Sequence, residues 1–463
     1  MIGVTGFRDR PIAVMGLGRS GLAAAESLMA SGALLAAWDD DAAGREAAVA
    51  RGIPLTDLAQ VDWAKIDTLV LSPGIPDSHP APHPVAAAAR AAGASIVCDI
   101  ELLFRSRPEA GYVGITGTNG KSTTTALIGH VLGAAGQEVE TGGNLGPPAL
   151  AMRPLGRGAH YVLELSSYQL ERVPSVVFDV AVLLNISPDH LDRHGGMDGY
   201  VAAKARIFEG QSDRHTAIVG VDDDHSRAIY DRLRARRLDS VIPIAVGRPV
   251  AGGIYVLDGR LIDDAAGGDG DGLDLRDLSR LPGRHNWQNA AAAYAACRAA
   301  GLAADAIATG FATFPGLPHR LEPVAVVDGV AFVNDSKATN AAAAETALLC
   351  YDDIYWIAGG QAKAGGIAAL TPHFDRIAHA FLIGEAADDF AATLAERVPC
   401  TISRTLAAAV GAAHDRAVAD CRPGAVVLLS PAAASFDQFA DFEARGEAFR
   451  AAVQALAESG ATS

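Results

Sequence analysis

The chain has 463 residues, half of them apolar, which is the length and composition of about three globular domains. Its formal net charge of −16 and its pI near 5.2 argue against a nucleic-acid-binding surface, although a local basic pocket for an anionic substrate is compatible with both. The sequence has no apolar run of about 18 residues, and the N-terminus lacks the apolar core of an export signal, so we expect neither membrane association nor secretion.

Five cysteines lie far apart in the sequence, at Cys98, Cys297, Cys350, Cys400 and Cys421. Their spacing fits neither a metal site nor a disulfide framework. We therefore expect reduced, mostly buried thiols in a cytoplasmic protein.

The first part of the chain alternates short apolar runs with Ala/Leu-rich segments. "PIAVMG", "LLAAWD", "TLVLSPG" and "SIVCDIE" predict buried strands, and "GLAAAESLMASG" and "PVAAAARAAG" predict helices that end at glycine. Strands that alternate with helices form a parallel sheet covered on both faces. An α/β unit is therefore predicted for residues 1–108.

A glycine loop follows the first predicted strand. Gly16, Gly18 and Gly21 in "GLGRSG" have the G-x-G-x-x-G spacing that brings backbone and a helix N-terminus close to a diphosphate. Asp39 ends the next strand, where an acid can accept ribose hydroxyls. This pattern fits an NAD-type cofactor, a UDP-linked substrate, or a tight turn without a ligand. The loop "SPGIP", Ser72–Pro76, lies at another strand end and fits either a ligand contact or an ordinary turn.

A second nucleotide-type loop lies in "GITGTNGKSTTT", residues 114–125. It ends in Gly120, Lys121 and Ser122 like the common phosphate loop, but Ile115 occupies the position of the first glycine and Gly117 lies closer to the lysine. A strand before it and a helix after it still point backbone N–H groups at an anion. We expect Lys121 to neutralise the β- and γ-phosphates of ATP and the Ser122 hydroxyl to face Mg²⁺.

Carboxylates at neighbouring strand ends are the expected further ligands of Mg²⁺. Glu164 in "LELSS" occupies such a position, and "PDHLDRH" places Asp189, His190, Asp192 and His194 together, of which we favour His190. Lys204 in "YVAAKARIF" lies on a predicted helix, and its sequence context alone favours a solvated lysine.

Two further stretches of α/β pattern follow the second loop. The central stretch continues through "YVLELSS", "DVAVLLNIS" and "TAIVGVDD" to the helix "RHNWQNAAAAYAACRAAG" and ends near "FPGLPHR". A Gly/Asp-rich segment, residues 263–272, predicts an exposed loop on a β-rich insert. The last stretch, with "VAVVDGVAFVNDS", "DIYWIAGG", "HAFLIG" and "AVVLLSPAAAS", again alternates strands and helices.

Together these motifs resemble the Mur ligases of peptidoglycan and cell-wall assembly over nearly the whole chain. "GTNGKST" is the form of the ATP loop in that family, and "GGNLG", "VLELSSYQLE", "PDHLDRH", "YVAAKARI", "GRHNWQNAAAA" and "GLPHRLE" match its central domain. "NDSKATN", "AGGQAK" and "LLSPAAASFDQF" are similar to the C-terminal domain of the members that add D-glutamate.

The resemblance implies three domains. Residues 1–108 would form a Rossmann-like domain for the UDP substrate, residues 109–315 the ATP-binding central domain with its β-rich insert, and residues 316–463 a second Rossmann-like domain for the amino acid. It also implies an ATP- and Mg²⁺-dependent ligase that adds D-glutamate to UDP-N-acetylmuramoyl-L-alanine through an acyl phosphate. We expect a cytoplasmic monomer.

The resemblance assigns roles to individual residues. The expected ATP contacts are Gly117, Thr118, Asn119, Gly120, Lys121, Ser122, Thr123, Asn286, Arg320 and Asp335. The expected metal site comprises Ser122, Glu164, His190 and Lys204, whose amine the family carbamylates. The expected contacts of the UDP substrate are Gly18, Arg19, Ser20, Asp39, Ser72, Gly74 and Asn144. The expected D-glutamate contacts are Lys337, Thr339, Lys363, Ser435 and Phe442. The expected catalytic residues are Lys121, Glu164, His190, Lys204 and Arg320.

One departure from the family pattern concerns the UDP end of the substrate. After the acid at Asp39 the family has a polar residue and an arginine, whereas this chain has Asp40 and Asp41. Free carboxylates at that point would repel a diphosphate unless they face the ribose or solvent. Arg19 either compensates for the missing arginine or is a solvated residue at a helix start.

Three alternative functions stay open at the level of sequence. A sister ligase that adds another amino acid, such as L-glutamate, would share the motifs, because sequence does not reveal the chirality of a pocket. An NAD-dependent oxidoreductase built on residues 1–108 leaves the ATP loop unexplained. An ATPase switch that acts by binding a partner leaves the first glycine loop unexplained.

Overall fold

A computed structural model describes residues 1–236, 240–265, 273–278 and 280–460. Its α/β architecture contains three sheets of four, nine and six strands, as the alternating pattern predicts. The chain divides into two compact units, Met1–Leu275 with Trp287–Phe314 and Arg276–Asn286 with Pro315–Ser463. In the part of the chain covered by these coordinates, no helix has both the length and the apolar character needed to cross a membrane.

The four-stranded sheet is entirely parallel, in the order β2-β1-β3-β4. Its strands are β1 Pro11–Met15, β2 Leu34–Trp38, β3 Thr68–Leu71 and β4 Ser95–Val97. Its helices are α1 Arg19–Ala30, α2 Ala42–Ala50, α3 Pro84–Ala91 and α4 Asp99–Ser106, with a short 3-10 turn at Trp63–Lys65. Parallel pairing brings the carboxyl ends of these strands to one edge, where both predicted substrate loops lie.

The nine-stranded sheet has the order β13-β12-β11-β10-β9-β8-β5-β7-β6. Its strands are β5 Gly111–Thr116, β6 Val139–Gly143, β7 His160–Glu164, β8 Val180–Leu183, β9 Thr216–Gly220, β10 Val241–Val246, β11 Ile254–Leu257, β12 Arg260–Asp263 and β13 Leu273–Asp274. Among the described residues of this sheet, β12 pairs antiparallel with both β11 and β13, and these strands give the predicted β-rich insert. Residues 266–272 of the predicted Gly/Asp loop lie outside the described residues.

The helices of the central stretch are α5 Lys121–Ala134, α6 Ser167–Leu170, α7 Leu191–His194, α8 Met197–Ala205, α9 Asp224–Ala235, α10 Arg284–Ala299 and α11 Ala304–Ala312. Short 3-10 turns occur at Ala149–Ala151 and Arg206–Phe208. One apolar core cluster runs from Ile2 to Val241 and joins side chains around the four- and nine-stranded sheets. This shared core holds both predicted loops within a single packed unit.

The second unit contains the six-stranded sheet, in the order β14-β15-β19-β16-β17-β18. Its strands are β14 Glu322–Val327, β15 Val330–Asn334, β16 Ile354–Gly359, β17 Ile377–Ile383, β18 Cys400–Arg404 and β19 Val426–Leu429. Its helices are α12 Ala341–Leu348, α13 Ala387–Leu394, α14 Leu406–Asp420 and α15 Phe442–Gly460, with a 3-10 segment at Ala368–Arg376. β14 pairs antiparallel with β15, the other described pairs of this sheet are parallel, and apolar clusters cover both of its faces.

The cysteines are unpaired, as predicted, but fewer are buried than the sequence suggested. Cys98 and Cys297 are buried, Cys350 and Cys400 are partly exposed, and Cys421 is exposed. Cys421 follows the last turn of α14 at the surface with a φ of 49°. Burial raises the pKa of Cys98 to about 12, so its thiol is not a nucleophile at neutral pH.

Candidate active site

The first glycine loop forms one wall of a cleft of about 390 Å³ in the first unit. A Cβ at Gly21 would overlap the carbonyl oxygen of Gly16, so α1 packs on the loop in the way that the third glycine of this motif permits. The cleft is lined by every residue predicted to contact the UDP substrate, namely Gly18, Arg19, Ser20, Asp39, Ser72, Gly74 and Asn144. Arg19 donates a hydrogen bond to the carbonyl oxygen of Gly146 and is therefore anchored rather than free in solvent.

The three consecutive acids after β2 each have a separate partner. Asp39 lines the cleft and accepts hydrogen bonds from the backbone N–H groups of Leu17 and Asp41. The Asp41 side chain caps α2 by accepting from Ala43 N at 3.1 Å. Asp40 lies 2.8 Å from Nε2 of His83.

Arg45 supplies a cation that sequence reasoning missed at the end of β2. Its Nη1 donates to the carbonyl oxygens of Asp39 and Asp40 at 2.7 and 2.8 Å, and its guanidinium lies 5.0 Å from the centre of the Trp38 ring. The sequence signal was its position one turn into α2, where an arginine can fold back over the preceding loop. Arg45 thus offsets the negative charge of this segment.

The ATP-type loop spans Gly117–Lys121 between β5 and α5. Gly120 has a φ of 85°, and a Cβ there would overlap the Asn289 side chain, so only glycine fits. Nζ of Lys121 curls back over the loop and donates to the carbonyl oxygens of Gly117 and Thr118 at 3.0 and 2.8 Å. This arrangement places an ammonium group at a helix N-terminus. Both groups are positive, and together they favour an anionic ligand.

Asn185, at the end of β8, holds the same loop and was not predicted. Its backbone oxygen accepts from Thr118 N and its side-chain oxygen from Asn119 N, both at 2.9 Å. The available signal was an asparagine directly after a buried strand, in "LLNIS". Asn185 therefore holds the loop through both its backbone and its side chain.

Lys204 is buried, with 2% of its surface exposed, which contradicts the solvated lysine that its sequence context favoured. Its Nζ donates to Gly117 O at 2.7 Å, so it shares this acceptor with Lys121. Burial first, and then repulsion from Lys121, lower the pKa of Lys204 well below its usual value, against the opposing charges of Asp189 and Glu164. Its surroundings therefore favour the neutral form of the amine over the charged form.

Glu164 connects the ATP loop region to the cleft. It ends β7 with 2% of its surface exposed, and its Oε1 accepts from Nδ2 of the cleft residue Asn144 at 2.7 Å. Its Oε2 is buried and has no hydrogen-bond partner among the described residues. A buried carboxylate oxygen without a partner is a suitable ligand for a hard cation such as Mg²⁺.

The histidines of "PDHLDRH" separate into an exposed and a buried one. His190 has a φ of 50°, and 55% of its side chain is exposed. Its Nε2 lies 3.5 Å from a carboxylate oxygen of Asp189, and its ring is tilted against the Tyr168 ring, with the ring centres 5.4 Å apart. His194 is buried between Ser167 Oγ at 2.9 Å and Glu171 at 3.2 Å. Within the described ranges, no three His, Cys, Asp or Glu side chains cluster as a preformed metal site.

In the second unit, the predicted ATP residues Arg320 and Asp335 lie together. Asp335 accepts from Ser430 Oγ at 2.8 Å and from Leu321 N at 3.2 Å. Burial raises the pKa of Asp335 to about 7, against the opposing charge of Arg320. Asn286 is buried and donates to Pro282 O at 2.7 Å.

The predicted amino-acid contacts occupy two loop regions of the second unit. Nζ of Lys337 lies 4.9 Å from the centre of the Phe442 ring. Gln361 and Ala434 exchange backbone hydrogen bonds at 2.9 Å, which connects the segments that carry Lys363 and Ser435. Lys363 is exposed and Ser435 buried, while Thr339 follows Lys337 and donates its backbone N–H to that residue's carbonyl oxygen.

Comparison with known proteins decides between the candidate families. The Mur ligase middle domain family matches residues 115–297. A protein of Rhodospirillum rubrum named UDP-N-acetylmuramoylalanine–D-glutamate ligase is 53% identical over 98% of this chain and 96% of its own length. Proteins of that name from Caulobacter vibrioides and Paramagnetospirillum magneticum are also 53% identical, over 99% and 100% of both chains.

The chain belongs to the Mur ligase family.

Solved structures show that the Mur ligase fold extends along the chain. The UDP-N-acetylmuramate–alanine ligase of Thermotoga maritima gives a TM-score of 0.60 at 16% identity, covering 96% of this chain and 99% of the other. A pseudomurein peptide ligase type C from Methanothermus fervidus gives 0.54 at 18% identity over 97% and 100%. The Mur ligase family explains both loops at once, whereas a dehydrogenase or an ATPase switch explains only one.

Proposed function

We propose that this Mur ligase adds D-glutamate to UDP-N-acetylmuramoyl-L-alanine, with conversion of ATP to ADP and phosphate, in the synthesis of peptidoglycan precursors. The relatives that share about half of its residues along their full length carry that name. The observation that carries the proposal in the structure is the contact between Asn144 and Glu164. Asn144 lines the nucleotide-type cleft, and Glu164 pairs with Ile115 on β5, the strand that leads into the ATP-type loop.

The nucleotide substrate would lie along this cleft. The N-terminus of α1 and Arg19 would face its diphosphate, and Asp39 would face the ribose. The acyl end would then reach Asn144, beside Glu164. In this orientation the reacting carboxylate lies at the end of the cleft closest to the candidate metal ligands.

ATP would bind at the second loop, with Lys121 and the N–H groups of Gly117–Thr123 on its phosphates. Mg²⁺ would be held by Glu164, through its unpartnered buried oxygen, and the family resemblance adds Ser122, His190 and a carbamylated Lys204. When bound, Mg²⁺ would supply charge neutralisation to the phosphates. The low pKa of Lys204 supports carbamylation, because only the neutral amine reacts with CO₂.

The chemistry begins with a carboxylate, which is a poor acyl donor because oxide is a poor leaving group. A carboxylate oxygen of the substrate attacks the γ-phosphorus, the bond to ADP breaks, and an acyl phosphate forms. The amine of D-glutamate attacks the carbonyl carbon, loses a proton, and expels phosphate. The residues named here position these groups and neutralise their charges, while no protein atom forms a covalent bond to substrate.

The amino acid would bind in the second unit. The positive charges of Lys337 and Lys363 would balance the two carboxylates of glutamate. Phe442 and Ser435 would form walls of the pocket. We assign domain boundaries at residues 108 and 315 and a monomeric state as part of the same proposal. The unpaired cysteines support a reducing, cytoplasmic location.

Phosphate release from ATP tests this function. With Mg²⁺ and UDP-N-acetylmuramoyl-L-alanine present, we expect release to depend on D-glutamate when single amino acids are added in turn. L-glutamate serves as the control for chirality, and omission of the UDP compound as the control for uncoupled hydrolysis. Release that needs neither substrate would favour an ATPase switch, and release with another amino acid would favour a sister ligase.

A further inference from the structure

Arg172 is a buried arginine outside all the motifs used so far. It follows α6 and has 1% of its surface exposed. Burial of a guanidinium is unfavourable unless its donors find acceptors, so its partners indicate what it stabilises.

The partners of its two terminal nitrogens all lie in residues 71–77, which run from the last residue of β3 into the loop that follows. Nη1 of Arg172 donates to the carbonyl oxygens of Leu71 and Ser72 at 3.3 and 2.9 Å. Nη2 donates to Ile75 O at 2.6 Å and to a carboxylate oxygen of Asp77 at 2.9 Å. Residues 71–77 therefore wrap around one side chain that lies about 100 positions further along the chain.

This loop is a wall of the substrate cleft and holds the first glycine loop. Ser72 and Ile75 line the cleft, and Ser72 Oγ donates to Gly16 O at 2.9 Å. The guanidinium thus supports the Gly16 loop indirectly, through Ser72.

The segment that carries Arg172 also carries the ligand candidate Glu164. Between them, Ser166 and Gln169 form a capping box at the start of α6, and Gln169 lines the cleft. The backbone oxygen of Arg172 accepts from Cys98 N at 3.1 Å. The connection from Glu164 to the 71–77 loop is therefore short, hydrogen-bonded and buried.

We propose that Arg172 is a positioning residue that fixes the 71–77 loop relative to Glu164, so that the diphosphate end and the acyl end of the nucleotide substrate are held at a set spacing. This inference rests on the proposed function for the identity of the substrate. Misplacement of a wall of the cleft weakens binding of that substrate and leaves the ATP loop intact, because the described contacts of Arg172 do not include residues 117–121.

The test is Arg172→Lys, which keeps the charge but loses the planar fork of donors. Loss of hydrogen bonds from a charged donor predicts a KM and Kd for UDP-N-acetylmuramoyl-L-alanine raised by about tenfold or more. The KM for ATP should stay within about twofold of wild type. Arg206→Lys is the matched control, because Arg206 donates to Leu170 O at 2.9 Å, two residues before Arg172, and its described hydrogen bonds do not reach residues 71–77. Its KM for both substrates should stay at the wild-type value.

A folded Arg172→Lys enzyme that binds the nucleotide substrate as tightly as wild type overturns the proposal, even if its melting temperature falls. If Arg172→Lys does not fold, Asp77→Asn decides with the same measurements, and an unchanged KM for the nucleotide substrate is the negative result. Arg90→Met is its control, since Arg90 is the other arginine bonded to Asp77. Failure of the proposed function is distinct, because wild type itself would then not bind UDP-N-acetylmuramoyl-L-alanine.

Discussion

Lys204→Ala is expected to lose nearly all D-glutamate-dependent phosphate release, by about three orders of magnitude in kcat. In the proposed function the buried amine, whose pKa is lowered, would combine with CO₂ and release a proton, and the carbamate would supply an anionic oxygen ligand. Loss of several kcal/mol of charge stabilisation corresponds to this factor, at about 1.4 kcal/mol for each tenfold change in rate. Steady-state phosphate release measures the loss.

Chemical rescue separates the carbamate from a purely structural lysine. Acetate should restore part of the activity of Lys204→Ala, because it can place a carboxylate in the space left by the side chain. Lys65→Ala is the control for removal of a lysine, since Lys65 lies at the surface with 77% of its side chain exposed. Wild-type enzyme stripped of CO₂ that works equally well at zero and saturating bicarbonate would argue against carbamylation.

Glu164→Gln is expected to lower kcat on the order of 100-fold and to raise the Mg²⁺ concentration needed for half-maximal rate. The amide keeps the size of the side chain and its contact with Asn144, but its NH₂ group cannot serve as a ligand to a cation. Titration of phosphate release with Mg²⁺, at saturating ATP and nucleotide substrate, measures both effects.

The control for this substitution is Glu140→Gln on the neighbouring strand β6, where Glu140 pairs with Arg153 at 2.6 Å near the surface. It removes the same charge from the same sheet and should leave the Mg²⁺ dependence unchanged. If the Mg²⁺ titration of Glu164→Gln matches that of wild type, Glu164 is not a ligand of the metal ion. The unpartnered Oε2 would then need another explanation.

Local sequence patterns were sufficient to predict many of the strands and both glycine loops. These features depend on short-range geometry, such as the turn at Gly16 and the left-handed backbone at Gly120. The parallel sheet then brings the strand ends together without further information. The loops after β1, β2 and β3 therefore line one cleft, whereas Asn144, which follows β6 of the other sheet, was predicted from the family resemblance alone.

Side-chain environments that depend on distant residues were not predictable in the same way. The helical sequence around Lys204 predicts a surface lysine. Only the packing of α8 against the Gly117 loop shows that its side chain is buried. The sequence does not show that Asp40 has a partner, because His83, which lies beside it in the structure, is 43 residues further along the chain. Arg172 carries no motif, and its role becomes visible only through the carbonyl groups of residues 71–77.

Transfer of isotopic oxygen tests the central claim most directly, namely that ATP activates the carboxylate of the nucleotide substrate. UDP-N-acetylmuramoyl-L-alanine labelled with ¹⁸O at both carboxylate oxygens is converted with ATP, Mg²⁺ and D-glutamate, and the phosphate is analysed by mass spectrometry. An acyl phosphate requires that each phosphate released carries one labelled oxygen while the other stays in the amide. Amide product accompanied by unlabelled phosphate would contradict the account.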